Sequence, residues 1–140
     1  MKQPTASLSY LGDLRTELTH LQSGTRILTD APTDNMGRGE AFSPTDLVGA
    51  ALLGCIITTI AIVARREGYE ENLGNMDGDV LKVMSSEGPR RIAQLVVNIR
   101  FAGHSLDEKQ QLIVQRIGNT CPVTRSLHPD LAVEITYTFA

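Results

Sequence analysis

Apolar and polar residues alternate toward both ends of the chain and give way to an unbroken uncharged run near its middle. That contrast predicts the elements. At the C-terminal end Leu131, Val133, Ile135, Tyr137 and Phe139 alternate with Ala132, Glu134, Thr136 and Thr138, the two-residue period of a half-buried strand. The same period over residues 91–101 places Ala93, Leu95, Val97, Ile99 and Phe101 on one side and Gln94, Asn98 and Arg100 on the other. With residues 79–85 across the turn Glu87-Gly88-Pro89, it predicts a hairpin. Three more strands are predicted over residues 7–11, 14–21 and 25–29, separated by Gly12-Asp13 (a hairpin turn extended by a bulge) and by Ser23-Gly24. In the second of these, Leu14, Thr16, Leu18 and His20 share one face and Arg15, Glu17 and Thr19 the other.

The middle run, residues 47–64 (LVGAALLGCIITTIAIVA), holds no charge over 18 positions. As a helix it would reach about 27 Å, the short limit for crossing a bilayer core. Gly49, Gly54, Thr58 and Thr59 interrupt it, and the flanking sequence alternates like a soluble sheet, so the run predicts a core helix covered on all sides. A 140-residue chain is short of material to cover such a helix alone, which predicts a second subunit. Ser43 as N-cap, Pro44 at the first helical position and Asp46 in the first turn start this helix; Arg65-Arg66-Glu67-Gly68 ends it. Ser105-Leu106-Asp107-Glu108 reads as a capping box opening a second helix to about Asn119, and Cys121-Pro122 as the start of a short helix or turn. Residues 30–42 (DAPTDNMGRGEAF) form a loop long enough to carry function. The expectation is one α+β domain over residues 1–140, with about six antiparallel strands, two main helices and no internal repeat.

Composition narrows the function classes. The net charge of −3 offers no basic face to nucleic acid or an anionic membrane. With 41% apolar and 21% charged residues the chain is expected to be soluble and globular. Six aromatic residues and no Trp argue against a base- or sugar-stacking surface. Two cysteines and a polar opening without an apolar leader core point to the reducing cytoplasm. His20, His104 and His128 lack metal-ligand spacing, so neither a metal nor an organic cofactor is expected; Gly37-Arg38-Gly39 is too short to read as a phosphate cradle.

The chemistry rests on the two cysteines. Cys55 lies inside the apolar helix, where a thiol is normally inert because its thiolate would be desolvated. Read alone, it is a small buried hydrophobe; read as a nucleophile, it requires a positive charge brought to it. Cys121 precedes Pro122 at a helix start, where the dipole favours a thiolate. Such a pair suits a nucleophile and a resolving thiol, and their distance along the chain leaves open whether they meet.

Two segments, SPTDLVGAALLGC (43–55) and NTCPVTRSLHPDL (119–131), resemble the cysteine motifs of the OsmC/Ohr family. The opening SYLGDLRTELTHLQSG (9–24) and the loop end GRGEAFSPTDL (37–47) resemble its OsmC-like, YhfA-type branch, so the likeness covers nearly the whole chain. The resemblance implies an intertwined homodimer with sheets around central helices and two active sites at the subunit interface. In the family's peroxidases the first cysteine attacks a hydroperoxide and becomes a sulfenic acid. The second condenses with it to a disulfide, which a dithiol (a small molecule or a lipoyl protein) reduces. An arginine of an early strand lies over the reactive cysteine, and a glutamate orients that arginine.

By this likeness Cys55 is the expected nucleophile, Cys121 the resolving thiol and Arg15 the activating cation, although a strand arginine is otherwise most simply a solvated residue paired with a neighbour such as Glu17. The family's glutamate lies ten residues before the cysteine, and Thr45 stands there in this chain. Threonine cannot grip a guanidinium bidentately. Glu40 is the preferred substitute, with Asp46 the other acid weighed and more simply a partner of the helix dipole. Met36 and Phe42 of the loop are expected to line an apolar substrate pocket. The function expected is cytoplasmic reduction of organic or small hydroperoxides. The alternatives are a dimeric protein that binds an apolar (fatty acyl) ligand, its cysteines non-catalytic, and a redox sensor.

Overall fold

Six strands and three helices follow one another in the computed structural model, which describes residues 2–140. In chain order they are β1 (Ala6–Gly12), β2 (Arg15–His20), β3 (Arg26–Asp30), α1 (Pro44–Glu67), β4 (Asn75–Met84), β5 (Ile92–Ala102), α2 (Glu108–Asn119), α3 (Pro122–Ser126) and β6 (Ala132–Phe139). Short 3-10 turns occupy Thr33–Asn35 and Glu70–Leu73. The α+β class, the six strands and the two main helices agree with the sequence pattern. The chain forms two compact units that divide after Val48, inside α1.

The first unit holds the meander β1-β2-β3, antiparallel throughout. Its first hairpin turns on Asp13-Leu14, both with positive φ (53° and 63°), and β1 is irregular between Tyr10 and Gly12. The turn falls one residue later than Gly12-Asp13, so β2 starts at Arg15 rather than at Leu14. Leu8, Leu18 and Ile27 stand opposite one another on one face, and Leu8 and Ile27 are 56% and 45% exposed. Three strands with an uncovered apolar face are marginal by themselves.

The second unit holds the sheet β4-β5-β6, with α1 against it. β4 and β5 are the predicted hairpin, longer at its open end and one residue shorter on each strand at the turn. β6 runs parallel to β5, not antiparallel as expected, and the six strands make two sheets rather than one. The cause is the connection: α2 and α3 carry the chain back along the sheet before β6 begins, which is how parallel neighbours are joined. Alternation reports which face a residue occupies and says nothing of strand direction.

The core forms where Leu95, Val97, Ile99 and Phe101 of β5 meet Leu52, Ile56, Ile60 and Ala64 of α1, all with no exposed surface. The rings of Phe101 and Phe139 stack 4.8 Å apart across β5 and β6. The buried positions of α1 (Gly49, Leu52, Ile56, Ile60, Ala64) form a single stripe at helical spacing, and Ile62 is 57% exposed. The helix is long and apolar enough to cross a membrane, yet only 28% of its apolar window is buried. Its own chain therefore covers only one face of it, as expected of a chain too short to enclose the helix alone.

α2 begins two residues later than predicted. Its N-cap is Asp107, whose carboxylate accepts from the Gln110 N–H at 2.7 Å while the Gln110 side chain accepts from the Asp107 N–H at 3.1 Å. This shift frees Leu106, 5% exposed, to enter the core just before the helix, where Ser105 as cap would have placed it in the first turn.

Candidate thiol site

Cys55 lies in the middle of α1, beyond the first turn in which a helix dipole acts on a thiolate. Local hydrogen-bond donors act on its ionisation instead. Thr59, one turn on, has its hydroxyl oxygen 3.7 Å from the Cys55 sulfur. Burial pushes the Cys55 thiol up, but hydrogen bonds from the Val123 backbone N–H, the Thr59 hydroxyl and the Cys121 thiol outweigh it and hold the thiol below its ordinary value. Both cysteines are free.

The burial of Cys55 departs from the sequence expectation. Cys55 is half-buried and Cys121 has no exposed surface. Cys121 is the N-cap of α3: its sulfur accepts from the Thr124 N–H at 3.5 Å and lies 3.2 Å from the Thr124 hydroxyl. Pro122 occupies the first helical position, so the chain turns at Cys121 and brings the next peptide N–H, that of Val123, to Cys55. The second unit therefore holds an accessible thiol inclined to ionise, beside a second thiol that is shielded.

Tyr137 of β6 closes the far side of α2. Its hydroxyl lies 2.9 Å from the Asn119 Oδ1 and donates to the Gln115 carbonyl at 3.2 Å. Burial first, and the charge on Cys121 second, push its pKa up to about 12. A Cβ on Gly118 would collide with this hydroxyl, so glycine is required where the ring crosses the helix.

The remaining predicted residues lie in the first unit. Arg15 Nη1 meets Glu40 Oε2 at 3.1 Å, the two side chains 27% and 52% exposed. Asp46, the other acid weighed for this partnership, caps α1: its carboxylate accepts from the Ser43 N–H at 2.9 Å and its N–H donates to the Ser43 hydroxyl at 3.0 Å. The Thr45 hydroxyl is 3.1 Å from that of Ser43, so it too belongs to the cap. Met36 and Phe42 are exposed, at 88% and 58%. The loop bearing them folds back on β3. The Asp30 N–H donates to the Phe42 carbonyl, the Gly37 N–H to that of Pro32, and a Cβ on Gly37 would strike the Ala31 carbonyl.

Four groups escaped the sequence reading: Thr59, Thr124, the Val123 N–H and Asp30. Thr59 at i+4 from Cys55 and Thr124 at the third position from a capping Cys121 were findable by helical spacing. The Val123 N–H reaches Cys55 by tertiary packing alone. Among the described residues no group of three or more His, Cys, Asp or Glu side chains gathers to hold a metal ion.

The family model described as OsmC-like protein matches residues 37–136. A solved structure from Psychrobacter arcticus 273-4, named for osmotic stress induction and the detoxification response, is similar over 98% of this chain and 97% of that one, with 42% identity and a TM-score of 0.88. The organic hydroperoxide resistance protein OsmC of Legionella pneumophila has the same fold, with a TM-score of 0.73 at 14% identity over the whole of both chains. So does the organic hydroperoxide resistance protein OhrB of Bacillus subtilis, with a TM-score of 0.69 at 14% identity over 96% of this chain and 98% of that one. No curated protein sequence matches the chain. The family match spans both cysteines and most of the chain: this protein belongs to the OsmC-like family.

Proposed function

We propose that the protein is a thiol-dependent peroxidase that reduces organic hydroperoxides, with Cys55 as nucleophile and Cys121 as resolving thiol. The observation that carries this reading is the state of Cys55: half-buried, in no disulfide, and held below the ordinary thiol value by three hydrogen-bond donors, one of them the second cysteine. Two solved structures of the same fold bear names for organic hydroperoxide resistance.

The Cys55 thiolate attacks the distal oxygen of ROOH; the O–O bond breaks, the alkoxide takes a proton and leaves as ROH, and Cys55 becomes a sulfenic acid. The Cys121 sulfur then displaces the hydroxyl as water, forming the disulfide. A dithiol reductant supplies the two electrons that restore both thiols. Arg15, gripped by Glu40, is the cation that favours the thiolate and hydrogen-bonds the peroxide. Met36 and Phe42, apolar and exposed, contact the alkyl group of the substrate. No metal or organic cofactor enters this chemistry.

The working form in this reading is a homodimer in the reducing cytoplasm. The uncovered faces of α1 and the exposed apolar face of the first sheet support it, since a second copy would bury both. One feature favours a second reading, a ligand-binding protein: a groove of about 580 Å³ between the end of α1 and α2, walled by Val63, Ile113 and Ile117 and by charged side chains such as Arg66, Glu67 and Lys109. The deciding experiment measures consumption of cumene hydroperoxide with a dithiol reductant. Turnover abolished by Cys55→Ser supports the peroxidase; turnover unchanged by it rejects the assignment.

A further inference from the structure

Asp30 is 1% exposed, and one of its carboxylate oxygens, Oδ1, is buried without a hydrogen-bond partner. A buried charged group is costly and is retained where its contacts do something. The other oxygen, Oδ2, accepts from the Glu40 backbone N–H at 3.0 Å. Across the sheet Asp30 stands directly opposite Arg15, which puts both side chains on one face of the strand pair. Arg15 in turn binds the Glu40 carboxylate at 3.1 Å. The three residues close a circuit: strand pairing joins Arg15 to Asp30, a side-chain to backbone bond joins Asp30 to Glu40, and an ion pair joins Glu40 to Arg15.

We infer that Asp30 is a positioning residue for the Arg15–Glu40 pair. Glu40 sits on a loop ten residues beyond Asp30, between Gly39 and Ala41, with a side chain more than half exposed. An ion pair so exposed does not hold a loop in place by itself. The buried carboxylate of Asp30 does so by fixing the peptide N–H of Glu40, so the Glu40 side chain meets Arg15 from a defined direction. That Arg15 serves Cys55 rests on the proposed peroxidase reading; that Asp30 sets Glu40 does not.

The test uses the full chain with Asp30→Ala, Asp30→Asn, Glu40→Ala and Arg15→Ala. Trypsin cleavage after Arg38, in the loop, reports loop opening, and the pH profile of Cys55 alkylation reports the thiol. Asp30→Ala is expected to speed cleavage about tenfold and to displace the alkylation profile to higher pH as far as Glu40→Ala does. Asp30→Asn, which keeps an oxygen acceptor for the Glu40 N–H, is expected to restore both. Cleavage unchanged in a folded Asp30→Ala protein overturns the inference. Should Asp30→Ala fail to fold, hydrogen exchange at the Glu40 amide of the unaltered protein decides: protection supports the inference and exchange at an open-loop rate overturns it. Faster cleavage with an alkylation profile moved by neither Asp30→Ala nor Arg15→Ala supports the role of Asp30 and removes Arg15 from the thiol chemistry.

Discussion

Thr59 stands one helical turn after Cys55, with its hydroxyl oxygen 3.7 Å from the sulfur. A donor at this position stabilises the thiolate more than the thiol. Thr59→Val keeps the shape and removes the donor, so alkylation of Cys55 at pH 7 is expected to slow roughly fivefold, and Thr59→Ser to recover most of the rate. An unchanged rate in Thr59→Val would leave the Val123 N–H and the Cys121 thiol as the effective donors.

Gly118 and Tyr137 are coupled by contact. Adding one methyl group in Gly118→Ala drives the Tyr137 hydroxyl off its partners on Gln115 and Asn119, at an expected cost of about 2 kcal/mol in urea unfolding. Tyr137→Phe in the same chain removes the colliding oxygen and recovers part of the loss, giving a non-additive double-mutant cycle. Additive losses would mean that the ring does not cross the helix at Gly118.

Tyr137 also sets an alkaline limit. Below the ordinary phenol pKa of about 10, the residue is neutral in folded and unfolded chains alike, and its contribution is present in full. Between there and its folded value of about 12 only the unfolded chain loses the proton, so stability falls as pH rises through this window. Tyr137→Phe is expected to flatten that decline, as read by urea midpoints across the window.

Leu8 and Ile27 share an exposed face of the first sheet. Leu8→Asp with Ile27→Asp is expected to convert a dimer to a monomer in sedimentation velocity. A wild-type protein that sediments as a monomer at micromolar concentration would contradict the proposed dimer.

The elements were legible where the sequence carries a directional signal. Ser43-Pro44 and Gly68 bracket α1, and the alternation of β5 names its four buried residues. Two things were hidden for physical reasons. An apolar run without a polar face has no phase, so nothing in residues 47–64 tells that the stripe through Leu52, Ile56 and Ile60 is covered and that Cys55 stays partly open. Strand direction is equally silent, because β6 would alternate in the same way on either heading. Of the residues named from the sequence, Arg15 meets Glu40 and the Cys121 thiol hydrogen-bonds Cys55, while their joint action is a proposal. The role inferred for Asp30 was hidden, because a carboxylate at the end of a strand looks like any turn residue until its burial is known.

The central claim is that Cys55 takes oxygen from a peroxide and Cys121 completes the reaction. The direct measurement is mass spectrometry of the reduced protein after one equivalent of cumene hydroperoxide, with remaining free thiols blocked. The expected product is a Cys55–Cys121 disulfide in the wild type and a sulfenic acid confined to Cys55 in Cys121→Ser. Peroxide left unconsumed with both thiols still free for blocking would contradict it.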